Sequence, residues 1–175
     1  MADELRATYN HKNPLLRWFF RKKIEIAIRL ARLKRVDVIL DFGCGAGWLK
    51  NKLKRQGYNV FGYDVTPEHS DVEDYMKVRA DKIFALDVFE HIEKEEIREI
   101  IKNFKEMNSN FELVVAIPTE NWISRKVRRL LGKRERVVGH ITSLKEILGI
   151  LKSELELIHR VNFLSVSWIG VFRNI

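Results

Sequence analysis

Cysteine is nearly absent from this chain: Cys44 is the single one among 175 residues, which excludes an internal disulfide bond. Long apolar runs are also missing, since none approaches the ~18–20 residues that a membrane-spanning helix needs. The first residues do not resemble a signal peptide, so we expect a cytoplasmic protein. Metal-ligand spacing is absent as well, so no metal site is predicted from the five histidines, which are His11, His69, His91, His140 and His159.

Acidic residues are in the minority, because 24 Asp and Glu face 32 Lys and Arg, for a formal net charge of +8. Such a balance predicts an anionic partner, which is nucleic acid, lipid headgroups or an acidic small molecule. The cations concentrate in segments 17–35 and 125–136. Either segment binds such a ligand or is ordinary solvated surface, and composition does not choose between these interpretations.

Segment 14–35 has the pattern of an amphipathic basic helix. Asn13 is a typical N-cap, and Pro14 suits the first helical position. The apolar face either packs onto the rest of the domain, or the helix forms a substrate lid or a peripheral membrane contact. We divide the chain into an N-terminal helix region, residues 1–35, and a single domain, residues 36–175.

The stretch VDVILDFGCGAGWL, residues 36–49, predicts a buried strand, a tight turn and the start of a helix. The turn follows Asp41 and contains glycines at positions 43, 45 and 47, where a ligand can lie against bare backbone. The next strand-like run ends at Asp64, 21 residues beyond the first glycine. This is about where a nucleoside-binding α/β unit has its ribose-binding carboxylate.

The sequences LDFGCGAG and GYDVT resemble the S-adenosylmethionine site of class I methyltransferases. In that family the glycine loop faces the methionine moiety, the acid that opens the loop lies close by, and the second acid holds the ribose. The resemblance implies a set of cofactor-binding residues, which are Asp41, Gly43, Cys44, Gly45, Gly47, Asp64 and Val65. For Cys44 itself, packing is favoured over a nucleophilic role. The glycine spacing disfavours nicotinamide dehydrogenases, whose fingerprint is G-x-G-x-x-G.

Residues 65–80 depart from the family pattern. Family members have a full helix and a third strand here, and that strand ends near an acid that meets the adenine amino group. About sixteen residues are too few for both, so we expect a shortened segment. Asp71 or Asp74 can replace the adenine acid, with Asp71 as the closer match; the alternative is an exposed acidic loop.

A second motif, ALDVFEHI at residues 85–92, resembles the fourth-strand motif D-V-x-E-H of small-molecule methyltransferases. The resemblance implies that Asp87 and Val88 line the cofactor, and that Glu90 and His91 face the methyl-transfer cleft. His91 is a candidate general base, but a structural role, in which it caps the next helix or orients the loop, is favoured. Glu90 is a further catalytic candidate.

The segment that begins at Gly139 resembles the one before the last family helix, with Thr142 or Ser143 as the helix cap. His140 is the candidate there for a substrate-facing catalytic group, and a capping or packing role is the alternative. Upstream of it, residues 119–122 are expected at the mouth of the cleft. The basic cluster 124–136 is expected in the substrate cap, where it favours an anionic acceptor.

The fold expected from these patterns is a Rossmann-like, doubly wound α/β domain with a mostly parallel sheet, shortened around the third strand and closed by a C-terminal antiparallel hairpin. The expected reaction is methyl transfer from S-adenosylmethionine to a small or anionic acceptor. The alternatives are a non-catalytic, methyltransferase-like binding or scaffold protein, and an RNA or lipid methyltransferase. A nucleic-acid partner lacks a recognisable binding module, and a membrane contact would use residues 14–35.

Overall fold

The computed structural model of this chain describes residues 13–119 and 140–175. Within these ranges the chain forms four α-helices and six strands. The helices are α1 (Pro14–Ala31), α2 (Trp48–Arg55), α3 (Lys94–Met107) and α4 (Leu144–Glu154). The strands are β1 (Val38–Phe42), β2 (Asn59–Tyr63), β3 (Lys82–Leu86), β4 (Glu112–Pro118), β5 (Leu155–Phe163) and β6 (Ser167–Asn174).

The strands form one sheet in the order β2-β1-β3-β4-β6-β5. Strands β1 to β4 are parallel, whereas β6 is antiparallel to both β4 and β5. The expected doubly wound, mostly parallel sheet with a C-terminal antiparallel hairpin is therefore confirmed. The chain leaves β1 toward one edge and returns to β3 on the other side, so the strand order reverses between β1 and β3. Open α/β sheets bind their ligands at such a switch point, beyond the carboxyl ends of the strands.

Apolar side chains cover both faces of the sheet, because successive residues of a strand point to opposite sides. On one face, α3 and α4 bury residues such as Ile101 and Ile147 against Leu40 and Ile83. On the other face, α1 and α2 pack against alternate residues of the same strands; the buried set includes Ile24, Ala27, Ala31, Ile39, Leu53, Phe84, Val114 and Ile169. Two layers of helices around a sheet are what a doubly wound fold requires.

Helix α1 forms as its sequence predicts, and it shares a core with the strands. The Asn13 side chain accepts a hydrogen bond from the Leu15 N–H and caps the helix, and Pro14 occupies the first turn. The helix ends where Arg32 adopts a left-handed conformation. Its apolar face lies on β4 and β6, as the packing interpretation expects. None of the described helices combines the length and the apolar character that crossing a membrane demands.

Residues 65–80 hold two short 3-10 turns, Pro67–His69 and Tyr75–Val78, in place of a helix and a strand. The expected shortening is therefore confirmed, and it leaves β2 at the edge of the sheet. Asp71 covers part of that edge: its N–H donates to the Gly62 carbonyl at 2.8 Å, and its carboxylate accepts from the Gly62 N–H at 3.0 Å. One residue thus satisfies main-chain groups that a further strand would otherwise pair.

Candidate functional site

Three glycines form the turn between β1 and α2, and all have positive φ: 72° at Gly43, 48° at Gly45 and 72° at Gly47. Residues with a Cβ adopt this conformation only at a cost, which explains the glycine triplet in the sequence. The N–H groups of Gly43 and Cys44 donate to the Tyr63 carbonyl at 2.8 and 3.0 Å. These bonds hold the glycine loop, residues 43–47, against the end of β2.

The loops that follow β1 and β3 meet at the switch point. A Cβ added at Gly43 would come within 2.5 Å of a Val88 methyl group, so the Val88 side chain lies directly against the bare backbone of the glycine loop. Trp48, which follows the loop, packs toward the core beneath α1 and α2. The predicted cofactor residues of the first and second motifs, Gly43 and Val88, are thus brought together.

The Asp64 carboxylate faces the glycine loop. One oxygen accepts from the Gly45 N–H at 2.8 Å, and the other accepts from the Thr66 N–H at 3.0 Å. Ser70 fixes the same residue, because its hydroxyl bonds both the N–H and the carbonyl of Asp64. A carboxylate has about four lone-pair sites, so acceptor capacity remains on Asp64. Val65, the next residue, is largely exposed.

Asp41 is buried at the end of β1, where its carboxylate accepts from the Lys50 N–H at 3.1 Å. Because the N-cap residue Gly47 has no side chain, Asp41 supplies the side-chain acceptor for the first turn of α2. Burial raises the pKa of Asp41 to about 7 despite the hydrogen bond and the positive charge of Lys50. Asp41 therefore titrates near neutral pH.

Cys44 is a packing residue, as the sequence suggested. Burial, together with the nearby charge of Asp41, raises the pKa of its thiol to about 12. A thiol of such low acidity forms almost no thiolate at neutral pH, which removes its nucleophilic reactivity. Its sulfur lies 3.4 Å from the His69 carbonyl and close to Gly62.

The two acids that the sequence offers for adenine have other partners. Asp71 forms ion pairs with Lys50 and Lys54, each at 2.9 Å, in addition to its bonds with the β2 edge. These partners lower the pKa of Asp71 to about 2 despite partial burial. Asp74 caps the second 3-10 turn by accepting from the Met76 N–H at 2.9 Å. Both acids thus have structural contacts that the sequence did not predict, and the adenine role of Asp71 stays a prediction.

Helix α1 contributes a lysine to the switch point. Lys23 is only 2% exposed, and its ammonium group is paired with the Asp87 carboxylate. Asp87 directly follows β3, has a φ of 58°, and donates its N–H to the Ala116 carbonyl at 2.8 Å. The Lys23 Nζ also lies 5.0 Å from the Phe20 ring centroid. Through this pair α1 is attached to the loop that follows β3.

Sequence reasoning missed Lys23 and Lys50. A usable signal existed for Lys23, because it falls three residues after Phe20 and four before Ala27, inside the apolar stripe of the helix. A lysine on such a stripe needs a buried anionic partner. Lys50 carried no such signal, since its partners Asp71 and the His69 carbonyl come from residues whose position depends on the shortened segment.

The three catalytic candidates lie together. The ligand atoms of Glu90, His91 and His140 are all within 4.8 Å of one another. Glu90 is buried, His91 is exposed and His140 is intermediate. The N-cap residue of the helix that follows is Glu93 and not His91, and the role of His91 in orienting the loop stays a prediction. The histidines show no metal-ligand spacing along the sequence, because His91 and His140 are 49 positions apart and meet only in the fold.

The helix cap that follows His140 is Ser143, one of the two residues named from the sequence. Its hydroxyl accepts from the Glu146 N–H, and the Glu146 carboxylate in turn accepts from the Ser143 N–H, which makes a capping box. Of the cleft-mouth residues 119–122, only Thr119 is described; its N–H donates to the Val166 carbonyl at 3.0 Å. The basic cluster 124–136 lies outside the described residues.

Solved structures share this fold. The magnesium protoporphyrin IX methyltransferase of Synechocystis PCC 6803, solved with S-adenosylhomocysteine, has a TM-score of 0.68 and 16% identity, with coverage of 99% of this chain and 94% of that chain. A TehB-like methyltransferase of Corynebacterium glutamicum has a TM-score of 0.66 and 17% identity, with coverage of 99% and 96%. A methyltransferase of Aquifex aeolicus has a TM-score of 0.66 and 15% identity, with coverage of 87% and 89%. At such identities the likeness establishes the fold alone. A search of curated sequences gave no significant match.

The residues at the switch point fit S-adenosylmethionine. The glycine loop is bare backbone at positive φ, and a Cβ at Gly43 would occupy the space against Val88. Asp64 keeps acceptor capacity beside that loop. The model of the methyltransferase domain family matches residues 15–155, which is most of the chain. The chain therefore belongs to the methyltransferase domain family and is an S-adenosylmethionine-dependent methyltransferase.

Proposed function

We propose that this enzyme methylates a small or anionic acceptor at the switch point between β1 and β3. The observation that carries the proposal is the pairing of a bare glycine loop with Asp64, whose carboxylate accepts from the Gly45 N–H at 2.8 Å. A loop of this kind accommodates a ligand against main-chain atoms, and an adjacent carboxylate accepts from both hydroxyls of a ribose.

The cofactor residues follow from this arrangement. Gly43, Gly45 and Gly47 would contact the methionine portion, and Asp64 would hold the ribose. Bound S-adenosylmethionine supplies an electrophilic methyl group on its sulfonium centre. The chain's own contribution is to hold donor and acceptor at near-attack distance, and such positioning supplies up to about 7–11 kcal/mol of catalysis in favourable cases. Asp41 stabilises the glycine loop indirectly, because its carboxylate accepts from the Lys50 N–H in the first turn of α2, which follows the loop.

The acceptor would approach from the side of Glu90, His91 and His140. Val88 lies against the glycine loop, and Glu90 and His91 follow it in the chain by two and three residues. The exposed imidazole of His91 is of the type that acts as a general base toward an acceptor hydroxyl or amine. His140 lies beside it, with ring centroids 5.0 Å apart.

Positive charge supports an anionic acceptor. The net charge is +8, and the solvent side of α1 carries Arg21 and Lys22 next to Trp18, which is half exposed. Two proteins of similar fold are named for very different acceptors, magnesium protoporphyrin IX and small RNA, so the fold does not select the acceptor. RNA and lipid remain alternatives, and a membrane contact would use the face of α1 that carries Trp18.

Two experiments test the proposal. Calorimetry with S-adenosylhomocysteine and with NAD should detect binding of the former alone; no binding of either would indicate the non-catalytic alternative. Labelled S-adenosylmethionine should then be incubated with separate pools of acidic metabolites, RNA and lipid vesicles. Label transferred mainly to the metabolite pool supports a small acceptor, whereas label confined to RNA or to lipid excludes a small acceptor and supports that alternative.

A further inference from the structure

Two histidines and one glutamate form a compact group beside the proposed site. Their ligand atoms lie within 4.8 Å of one another, and the rings of His91 and His140 are nearly perpendicular, at 77°. The group contains one carboxylate that is 2% exposed and one imidazole that is open to solvent. A buried ligand combined with an open one gives a site that a solute can reach from one side.

Hydrogen bonds fix the two segments that carry this group. The Glu90 carbonyl accepts from the Ile141 N–H at 2.8 Å and from the Thr142 N–H at 3.3 Å. The buried Thr142 hydroxyl donates to the Ile92 carbonyl at 2.7 Å. Phe89 anchors the short turn Phe89–His91 in the core, where it is fully buried. Phe89 and Ile92, on either side of Glu90 and His91, and Ile141, which follows His140, are therefore held, and this preorganises the ligands.

We propose that Glu90, His91 and His140 bind one divalent transition-metal ion, zinc or manganese. Two imidazoles and one carboxylate are the protein ligands of many catalytic zinc sites and of non-haem iron sites. Ligand atoms about 2.0–2.2 Å from an ion lie roughly 3–3.5 Å apart, so an ion would draw together a group whose ligand atoms already lie within 4.8 Å of one another. Asp87 is not part of the set, because its carboxylate is paired with Lys23.

Three protein ligands leave coordination positions for an acceptor. A hydroxyl bound to such an ion loses its proton more readily, and the ion also fixes its direction of approach. The ion would therefore select acceptors that present an oxygen donor. This role rests on the proposed function, whereas ion binding itself does not.

Metal titration of the full chain tests the site directly. The protein, without a polyhistidine tag, is stripped with EDTA, dialysed and titrated with ZnCl2 and MnCl2 by calorimetry. We expect one ion per chain, and His91→Ala and His140→Ala should each weaken binding about tenfold or more. His159→Ala, on the distant strand β5, is the matched control and should bind as the unaltered protein does. Thermal unfolding of the metal-free variants checks that they fold.

The outcomes of these titrations distinguish failure of the metal site from failure of the proposed function. Absence of stoichiometric binding, or equal affinity in the His91, His140 and His159 variants, overturns the metal site. Titration with S-adenosylhomocysteine is run on the same samples. If the protein binds metal but does not bind S-adenosylhomocysteine, the result counts against the proposed function alone. Methylation that is undiminished after EDTA treatment overturns the role of the ion in the reaction, and activity restored by ZnCl2 or MnCl2 supports it.

Discussion

The buried ammonium group of Lys23 on α1 is paired with the carboxylate of Asp87, the residue that directly follows β3. Lys23 is 2% exposed, whereas 28% of the Asp87 side chain is exposed. The pair joins the N-terminal helix to the motif that is expected to line the cofactor. Folding of α1 onto the sheet and formation of the site are therefore linked through one ion pair.

Lys23→Met should destabilise the protein, because it leaves the Asp87 charge without its partner. Breaking a fully buried pair costs about 3–5 kcal/mol, and the partial exposure of Asp87 reduces the expected loss to about 1–3 kcal/mol. Urea unfolding measures this loss. Lys22→Met, on the outer side of the same helix, should change stability by less than about 0.5 kcal/mol. A double variant, Lys23→Met with Asp87→Asn, should recover part of the loss; strictly additive losses would argue against direct coupling.

Asp71→Ala separates two roles of one carboxylate. Loss of its bonds with Lys50, Lys54 and the Gly62 N–H should lower the free energy of unfolding by about 1–2 kcal/mol. If Asp71 only covers the β2 edge, the affinity of the variant for S-adenosylhomocysteine stays within about twofold of the unaltered value. If Asp71 also binds adenine, the variant should bind S-adenosylhomocysteine about tenfold more weakly. Glu73→Ala, at an exposed neighbouring position, is the control for both measurements.

Gly43→Ala should damage the site and the fold together. Its φ is 72°, and the added methyl group would meet Val88 at 2.5 Å. The left-handed conformation and the overpacking together cost about 2–4 kcal/mol. Gly149 offers a matched control, since nothing lies within 4 Å of a Cβ there and it is inside α4. Gly149→Ala should stabilise the protein by about 0.5–1 kcal/mol. Equal midpoint temperatures of thermal unfolding for Gly43→Ala and Gly149→Ala would contradict the requirement for glycine at position 43.

Local patterns predicted the parts of the site that are local in sequence. The strand, glycine turn and helix around Asp41 lie within fourteen residues of one another, and the spacing to Asp64 follows from one βαβ unit. The cap of α4 was predicted as Thr142 or Ser143 for the same reason. Each of these features depends on residues that are close in sequence, so hydrophobic periodicity and the residue preferences of turns are enough to predict it.

Long-range pairs could not be predicted in this way. His91 meets His140 only because two main-chain hydrogen bonds join Glu90 to the segment before α4. Lys23 meets Asp87 because α1 packs on β4 and β6, next to the loop that follows β3. Asp71 acquires its partners because the missing strand exposes the edge of β2. Each depends on how elements pack, which pattern and spacing within one segment do not specify.

Asp64→Ala should weaken S-adenosylhomocysteine binding by about 1.5–3 kcal/mol, through loss of charge-assisted hydrogen bonds to the ribose. The variant also removes an acceptor for the Gly45 N–H, so Asp64→Asn, which keeps an oxygen there, separates the loop contact from the charge. Glu68→Ala, exposed in the adjacent turn, is the control. Calorimetry gives the affinities, and unchanged affinity in Asp64→Ala would remove this residue from the site.

Asp41 should make the enzyme less stable as pH rises toward neutrality. Burial raises its pKa from 3.8 to about 7, so between these values the folded protein binds a proton that the unfolded chain releases. Stability then falls with increasing pH across this window, by at most about 1.4 kcal/mol per pH unit and about 4 kcal/mol in total. Asp41→Asn keeps an oxygen for the Lys50 N–H but cannot ionise. Urea unfolding between pH 4 and pH 8 should therefore show the variant gaining stability relative to the unaltered protein as pH rises; parallel profiles would mean that Asp41 is already ionised in the folded state at the lower pH.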